Sequence, residues 1–282
     1  MNMNDVNFDA MYVLMKGDPG LRKSTQALSF PQPSYWFSWD RKMAALKIPM
    51  RAWNIDPKQV QYDDYDDWSK ARAQLEKFQV NCPFKTLVID SITSCGDSIM
   101  RQTLKAKYGA TRKSGADAGK TIGGIQVNEL EDFNAESSAL HELISLTKDI
   151  HKFHKVNIVL IAHVISIENT PIGGKTTVSR SIVTAARKIA AKIPAYCDEV
   201  YHFDLEKSFD ESKGGELRIL TTHTGTDFAR TTLPLPEVIK FGTRPLYDTW
   251  IRPAIDKMNK KEENGVVITT EPIPITARGF TS

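Results

Sequence analysis

Between Tyr12 and Phe30 the chain reads YVLMKGDPGLRKSTQALSF, and few folds accommodate that order of residues. Tyr12-Val13-Leu14-Met15 is a short apolar run of the length of a buried strand. A glycine turn with Lys-Ser follows, Gly17-Asp18-Pro19-Gly20-Leu21-Arg22-Lys23-Ser24-Thr25, and then a helix-like run that ends at Pro31. Strand, glycine turn and helix in this order are the context that a phosphate-binding loop requires. Glycines let successive backbone N–H groups point inward at phosphate oxygens, and the helix behind them aims its positive end at the same anion. In such a loop Lys23 reaches the β- and γ-phosphates and Ser24 offers its hydroxyl to Mg²⁺. The pattern G-x-x-x-x-G-K-[ST] asks for glycine just before the lysine, and this chain has Arg22 there. Two consequences stay open: arginine crowds the loop, or it adds a phosphate contact.

Downstream segments supply the partners such a loop needs. Ser34–Ser38 reads as a second buried strand running into Trp39-Asp40-Arg41. An acid at the carboxyl end of a strand beside a phosphate loop is placed to orient a water. Asp40 is therefore a candidate catalytic base, with the N-cap of the Lys42–Leu46 segment as the equal alternative. Met50–Ile55 reads as a further strand, and the acidic run Asp63–Asp67 as a solvated helix start. Trp68, Ala71, Leu75 and Phe78 follow at helical spacing and face a core. Thr86-Leu87-Val88-Ile89-Asp90-Ser91 is an apolar strand ending in a carboxylate, a Walker B-type strand whose Asp90 is a candidate for holding Mg²⁺. Val156–Ala162 is a third buried strand, and His163 at its end is a candidate γ-phosphate sensor; the bland alternative is a satisfied strand-end histidine.

Two loops carry an excess of positive charge. Arg101, Lys105, Lys107, Arg112, Lys113 and Lys120 face a single acid, Asp117, across a glycine-rich stretch after the Ile92–Lys107 helix. Lys175, Arg180, Arg187, Lys188 and Lys192 face only Glu168 in the second, which begins at Val164 and contains a hairpin or flexible turn. Mobile basic loops suit a nucleic-acid backbone, and Arg112, Lys113, Lys120, Lys175 and Arg180 are the candidates; solvated insertion is the alternative. Between the loops, Asn134–Lys155 reads as a long helix. Its histidines, His141, His151 and His154, lack the companions of a metal site. After a helix over Ile182–Ile193, Asp198–Phe203 and Glu216–Thr222 read as paired strands, and Arg230, in the loop beyond, is a candidate for a neighbouring subunit's phosphates or a plain surface arginine.

Composition narrows the function classes. A net charge of +3 over 282 residues excludes a polybasic nucleic-acid binder, so any such surface is local. Cys82, Cys95 and Cys197 are too scattered for a metal or redox motif and suit a reducing compartment. No apolar run reaches the ~18–20 residues of a membrane span, and no signal-peptide pattern opens the chain, so a cytoplasmic protein without membrane partners is expected.

The order of parts resembles the RecA-type core, and in particular the phage AAA-family nucleotide-binding proteins that serve DNA recombination or single-strand annealing. The residues carrying the resemblance are Gly17-Asp18-Pro19-Gly20 with Lys23-Ser24-Thr25, Leu87–Ser91, Leu160–His163 and Pro194–Val200. The resemblance implies an α/β fold: a RecA-like P-loop NTPase core with a mostly parallel sheet flanked by helices and a β-hairpin extension at the C-terminal side. It implies a domain over residues 1–245, followed by a C-terminal helix and flexible tail over 246–282. ATP and Mg²⁺ are the implied cofactors, with Ser24 and Asp90 at the metal, Lys23 at the phosphates, Asp40 at the catalytic acid's place and His163 at the sensor's. That family typically has Glu where Asp40 stands. The basic loops at 108–124 and 164–181 fall where RecA-like proteins carry their DNA-binding loops. Implied partners are single-stranded DNA, further copies of the chain and a single-strand DNA-binding protein; the implied compartment is the cytoplasm, that of a bacterial host if the protein is phage-encoded. A nucleotide-dependent assembly module or helicase loader with little turnover is the rival expectation.

Overall fold

A computed structural model describes residues 10–109, 121–122, 125–126, 130–169, 177–206 and 215–263. In chain order the elements are β1 (Tyr12–Gly17), α1 (Lys23–Ala27), β2 (Ser34–Ser38), α2 (Lys47–Ala52), β3 (Val60–Asp64), α3 (Trp68–Val80), β4 (Thr86–Asp90) and α4 (Ile92–Gly109). The short strands β5 (Thr121–Ile122) and β6 (Ile125–Gln126) precede α5 (Leu130–His154). Then come β7 (Asn157–Ala162), β8 (Val164–Asn169), β9 (Thr177–Ile182), α6 (Arg187–Lys192), β10 (Glu199–Glu206), β11 (Glu216–Leu220), β12 (Val238–Lys240) and α7 (Arg252–Glu263).

Eight strands form the central sheet in the order β12-β11-β10-β1-β7-β4-β2-β3. From β3 to β10 every neighbouring pair is parallel; β11 runs antiparallel to both of its neighbours, β10 and β12. The α/β class, the mostly parallel sheet and the C-terminal hairpin all match the RecA-like expectation. The central strands are continuous apolar runs because helices cover both faces. Leu87, Val88 and Ile89 of β4 and Ile158, Val159 and Leu160 of β7 are fully buried. One face packs Leu14, Leu87, Ile89 and Leu160 against α3, α4, α5 and α6 residues such as Leu75, Cys95, Leu143 and Ile189. The other packs Val13, Met15, Val88 and Val159 against α1 and α7 residues such as Ala27 and Ile255, with Leu28 between them.

Several local expectations change. Met50–Ile55 is not a strand: α2 takes Met50, with Pro49 in its first turn where a missing N–H costs nothing. The extra strand lies later, at β3, and holds Asp63 and Asp64 of the acidic run. β3 is an edge strand with mostly exposed side chains, so it lacks the apolar signal of its neighbours. Asp67 does start a helix: its carboxylate accepts from Ser69 N at 2.8 Å as the N-cap of α3. The phosphate-loop helix is shorter than expected, ending at Ala27 rather than Pro31. Ile182–Ile193 contains only the short helix α6. The Val164 loop is instead a β8–β9 hairpin, with Val164 opposite Ile182. In the 246–282 segment, Leu246, Ile251 and Ile255 are buried in the same core as α1. Gln26 ties α1 to the start of this segment, accepting from Leu246 N at 2.7 Å, and donates to Arg244 O just before it at 3.1 Å. Residues 264–282 lie outside the described residues, as do Arg112, Lys113, Lys120 and Lys175.

Candidate nucleotide site

Sheet order creates the site. β7 lies between β1 and β4, and β2 flanks β4, so the carboxyl ends of four parallel strands converge. Those ends deliver the phosphate loop, His163, Asp90 and Asp40 to one place, the crevice where α/β sheets bind ligands.

The loop is shaped by backbone angles that favour glycine. Gly17 has φ +154°, and a Cβ there would strike the carbonyl oxygen of Phe203. Gly20 has φ +85°. Arg22 sits in the left-handed region, φ 60° and ψ 26°, immediately before α1. This explains why the motif prefers glycine there: the conformation is kept while the residue is not. The Arg22 guanidinium donates to Gly242 O at 3.2 Å. Asp18, Pro19 and Gly20 are exposed, Leu21, Ser24 and Thr25 half-buried.

Lys23 is 4% exposed. Its ammonium donates to Gly17 O and Asp18 O, both at 2.8 Å, and lies 3.4 Å from His163 Nδ1. Burial pushes its pKa down to about 8, against the pull of Asp90, Asp18 and Asp40. Asp90 moves the other way: burial pushes its carboxyl up to about 6, opposed by a hydrogen bond from Ser24.

Asp40 is not an N-cap. Lys42 precedes the 3₁₀ turn Met43–Leu46, while the Asp40 carboxylate faces the site. Its Oδ1 accepts from Ser91 Oγ at 3.3 Å and from Ser94 Oγ, and its Oδ2 lies 3.7 Å from His163 Nε2. Burial alone would raise its pKa; His163 and Ser94 outweigh that and bring it down to about 2, so the group is a carboxylate at neutral pH. His163 thus bridges Lys23 and Asp40. With Lys23 donating to Nδ1, the tautomer carrying its proton on Nε2 faces Asp40. His163 N donates to Thr93 Oγ1 at 3.1 Å, which fixes the strand end. Ser91, Thr93 and Ser94 were not singled out from the sequence; the hydroxyl run immediately after Asp90 was the available signal.

Ser24 and Asp90 supply a hydroxyl and a carboxylate already in hydrogen-bond contact beside the loop, an all-oxygen donor pair suited to Mg²⁺ with water and phosphate completing the shell. Among the described residues no cluster of three or more His, Cys, Asp or Glu is placed to hold a metal ion. His151 and His154 are consumed by backbone contacts, to Val156 O at 2.9 Å and Gln79 O at 2.8 Å. Arg230 pairs its backbone with Val200, and its guanidinium donates to Cys197 O. Arg180 lies on β9, away from this crevice, among Asp204, Asp227 and His202.

The AAA domain family profile matches residues 9–233. The chain belongs to the AAA domain family. The match supports a P-loop NTPase domain. Among solved structures it is similar to a KaiC-like protein from the hyperthermophilic archaeon Pyrococcus horikoshii OT3, at 14% identity and a TM-score of 0.44, over 83% of this chain and 87% of that one. No curated protein matches the chain in sequence. Among the described residues no helix is long and apolar enough to cross a membrane.

Proposed function

We propose that the protein is a Mg²⁺-dependent ATPase that acts on single-stranded DNA. The observation that supports it best is the convergence of Lys23, Ser24, Asp90, Asp40 and His163 on one crevice at the strand ends. Lys23 holds the β- and γ-phosphates; Ser24 and Asp90 hold the metal. Bound Mg²⁺ would neutralise charge on the phosphate oxygens as the γ-phosphoryl leaves. Asp40, ionised and fixed by Ser91 and Ser94, orients and accepts a proton from the attacking water. His163 contacts Asp40 on one side and Lys23 on the other, so a change at the phosphates reaches the β8–β9 hairpin through Val183, whose N–H donates to His163 O at 2.9 Å. That hairpin and the 108–124 stretch are the proposed contacts to DNA, in assemblies of several copies, with Arg230 facing a neighbour and a role in phage-type recombination or annealing.

The test is ATP hydrolysis by the purified protein with and without single-stranded DNA at two salt concentrations. Salt-sensitive stimulation is expected. Nucleotide binding with neither turnover nor stimulation would replace this reading with a nucleotide-dependent assembly module. That second reading draws on two features: Arg22 stands where the loop motif has glycine, and an aspartate, shorter than the glutamate usual in RecA-like proteins, takes the place of the water-facing acid.

A further inference from the structure

The face of β1 opposite α1 carries a second cation. Tyr12 and Leu14 point toward the α3–α6 side of the sheet, and by strand alternation so does Lys16. Lys16 is 2% exposed, and the carboxylate whose charge favours its ammonium is Asp227. It lines a cavity of about 350 Å³ between the base of β9 and the α6 end. Of the residues lining that cavity, Lys16, Arg180 and Arg230 are cationic and none is acidic.

Polar groups left unsatisfied gather behind this wall. His202 pairs with Lys16 across β1 and β10 and is fully buried. Its Nε2 accepts from Arg180 at 3.1 Å, which leaves the proton on Nδ1, and Nδ1 has no partner among the described residues. Asp227 Oδ1 is likewise unsatisfied, at 3.3 Å from His202 Nε2 and 3.6 Å from Arg180. Asp204 is bound mainly by Arg218, at 2.8 Å, with Arg180 farther off at 3.6 Å. Asp227 is thus the nearest carboxylate left to balance Lys16 and Arg180. Buried polar groups without partners are rare, and here they cluster at a cationic cavity.

We propose that this cavity is a binding site for a phosphate-class oxyanion, separate from the phosphate loop, with Lys16 as its buried anchor and Arg180 and Arg230 at its walls. It does not rest on the nucleotide reading, because α1 and its loop lie on the other face of β1. An anion seated there adds counter-charge to Lys16, whose carboxylate Asp227 is shared with Arg180 and His202, and gives the ammonium a hydrogen-bonded partner. The cavity exceeds one inorganic ion, and Phe228, 39% exposed, also lines it, so an esterified phosphate with an aromatic base fits the same chemistry.

The experiment uses the full chain carrying Lys23→Ala, which silences the phosphate loop. Pyrophosphate is titrated by calorimetry and by thermal unfolding at constant ionic strength. Lys23→Ala is expected to retain one saturable pyrophosphate site. Adding Lys16→Met, or separately Arg180→Gln, is expected to weaken it about tenfold or more. Circular dichroism checks that each variant folds, and Arg180→Gln carries the test if Lys16→Met does not. A short oligothymidine in a parallel arm separates the sources. Competition with pyrophosphate that depends on Lys16 assigns the site to a nucleic-acid phosphate; pyrophosphate binding without competition assigns it to a free anion. No pyrophosphate binding in Lys23→Ala, or equal binding with and without Lys16→Met and Arg180→Gln, would overturn the proposal.

Discussion

Lys16 and Lys23 are seven residues apart, both almost fully buried, and burial pushes both down to about 8, yet they are held in opposite ways. Lys23 is caged: two loop carbonyls at 2.8 Å and a histidine fix its ammonium before any ligand arrives. Lys16 is as deeply buried, but the charge that favours it is Asp227, shared with Arg180 and His202. A lysine that is already positioned suits a reaction, because its geometry need not be rebuilt when phosphate binds. A lysine whose carboxylate is shared with other cations suits recognition, because an incoming anion adds the counter-charge. The contrast also separates the two faces of β1, one closed by α1 and the other opening into a cationic cavity.

Three changes would sharpen or break this contrast. The largest effect is expected at Asp40, which completes the caged side. Asp40→Asn should lower ATP turnover by about 10²–10⁴-fold, the usual range for a lost general base, while Mg²⁺–ATP affinity stays within about a decade. Turnover within a few-fold of the parent would reduce Asp40 to an anchor for Ser94 and His163.

Next is Lys16 itself, through pH. Its pKa is near 8 in the fold and 10.5 when free, so between those values the unfolded chain binds more protons and stability rises with pH. The groups facing it are Asp227, which favours its charge, Arg180 and His202, which sit among the same ion pairs, and Arg230 across the cavity. Urea unfolding at pH 7.5, 9 and 10.5 should show the parent gaining up to about 3 kcal/mol relative to Lys16→Met. Parallel curves would mean that the ammonium is satisfied in solution.

The smallest effect is at Arg22. Its left-handed backbone costs an L-residue about 1–2 kcal/mol, and its one side-chain contact, to Gly242 O, is exposed. Arg22→Gly should raise the thermal midpoint by roughly 2–4 °C. A lower midpoint would show that the Gly242 contact outweighs the strain.

Much of this was legible in the residues. β1, β4 and β7 announce themselves because strands covered on both faces are unbroken apolar runs, and the phosphate loop and Asp90 follow directly from their ends. His163 fell between Lys23 and Asp40 because β7 sits between β1 and β4, an order that periodicity cannot reveal. The misread parts lie at edges. β3 is exposed and acidic, so nothing in it resembles a buried strand, and Met50–Ile55 reads as a strand because the six residues of α2 are too few for a helical repeat to show. Lys16 was invisible for another reason. A lysine directly after an apolar run reads as its end, and only the assembled sheet shows that it lines a cavity.

The most direct test of the nucleotide site is calorimetric binding of ATP with and without Mg²⁺, comparing the parent with Lys23→Ala. One saturable, Mg²⁺-dependent site in the parent, lost or weakened at least about a hundredfold in Lys23→Ala, is the result that the caged lysine demands. Undiminished Mg²⁺-dependent binding in Lys23→Ala would contradict it and place the nucleotide elsewhere in the molecule.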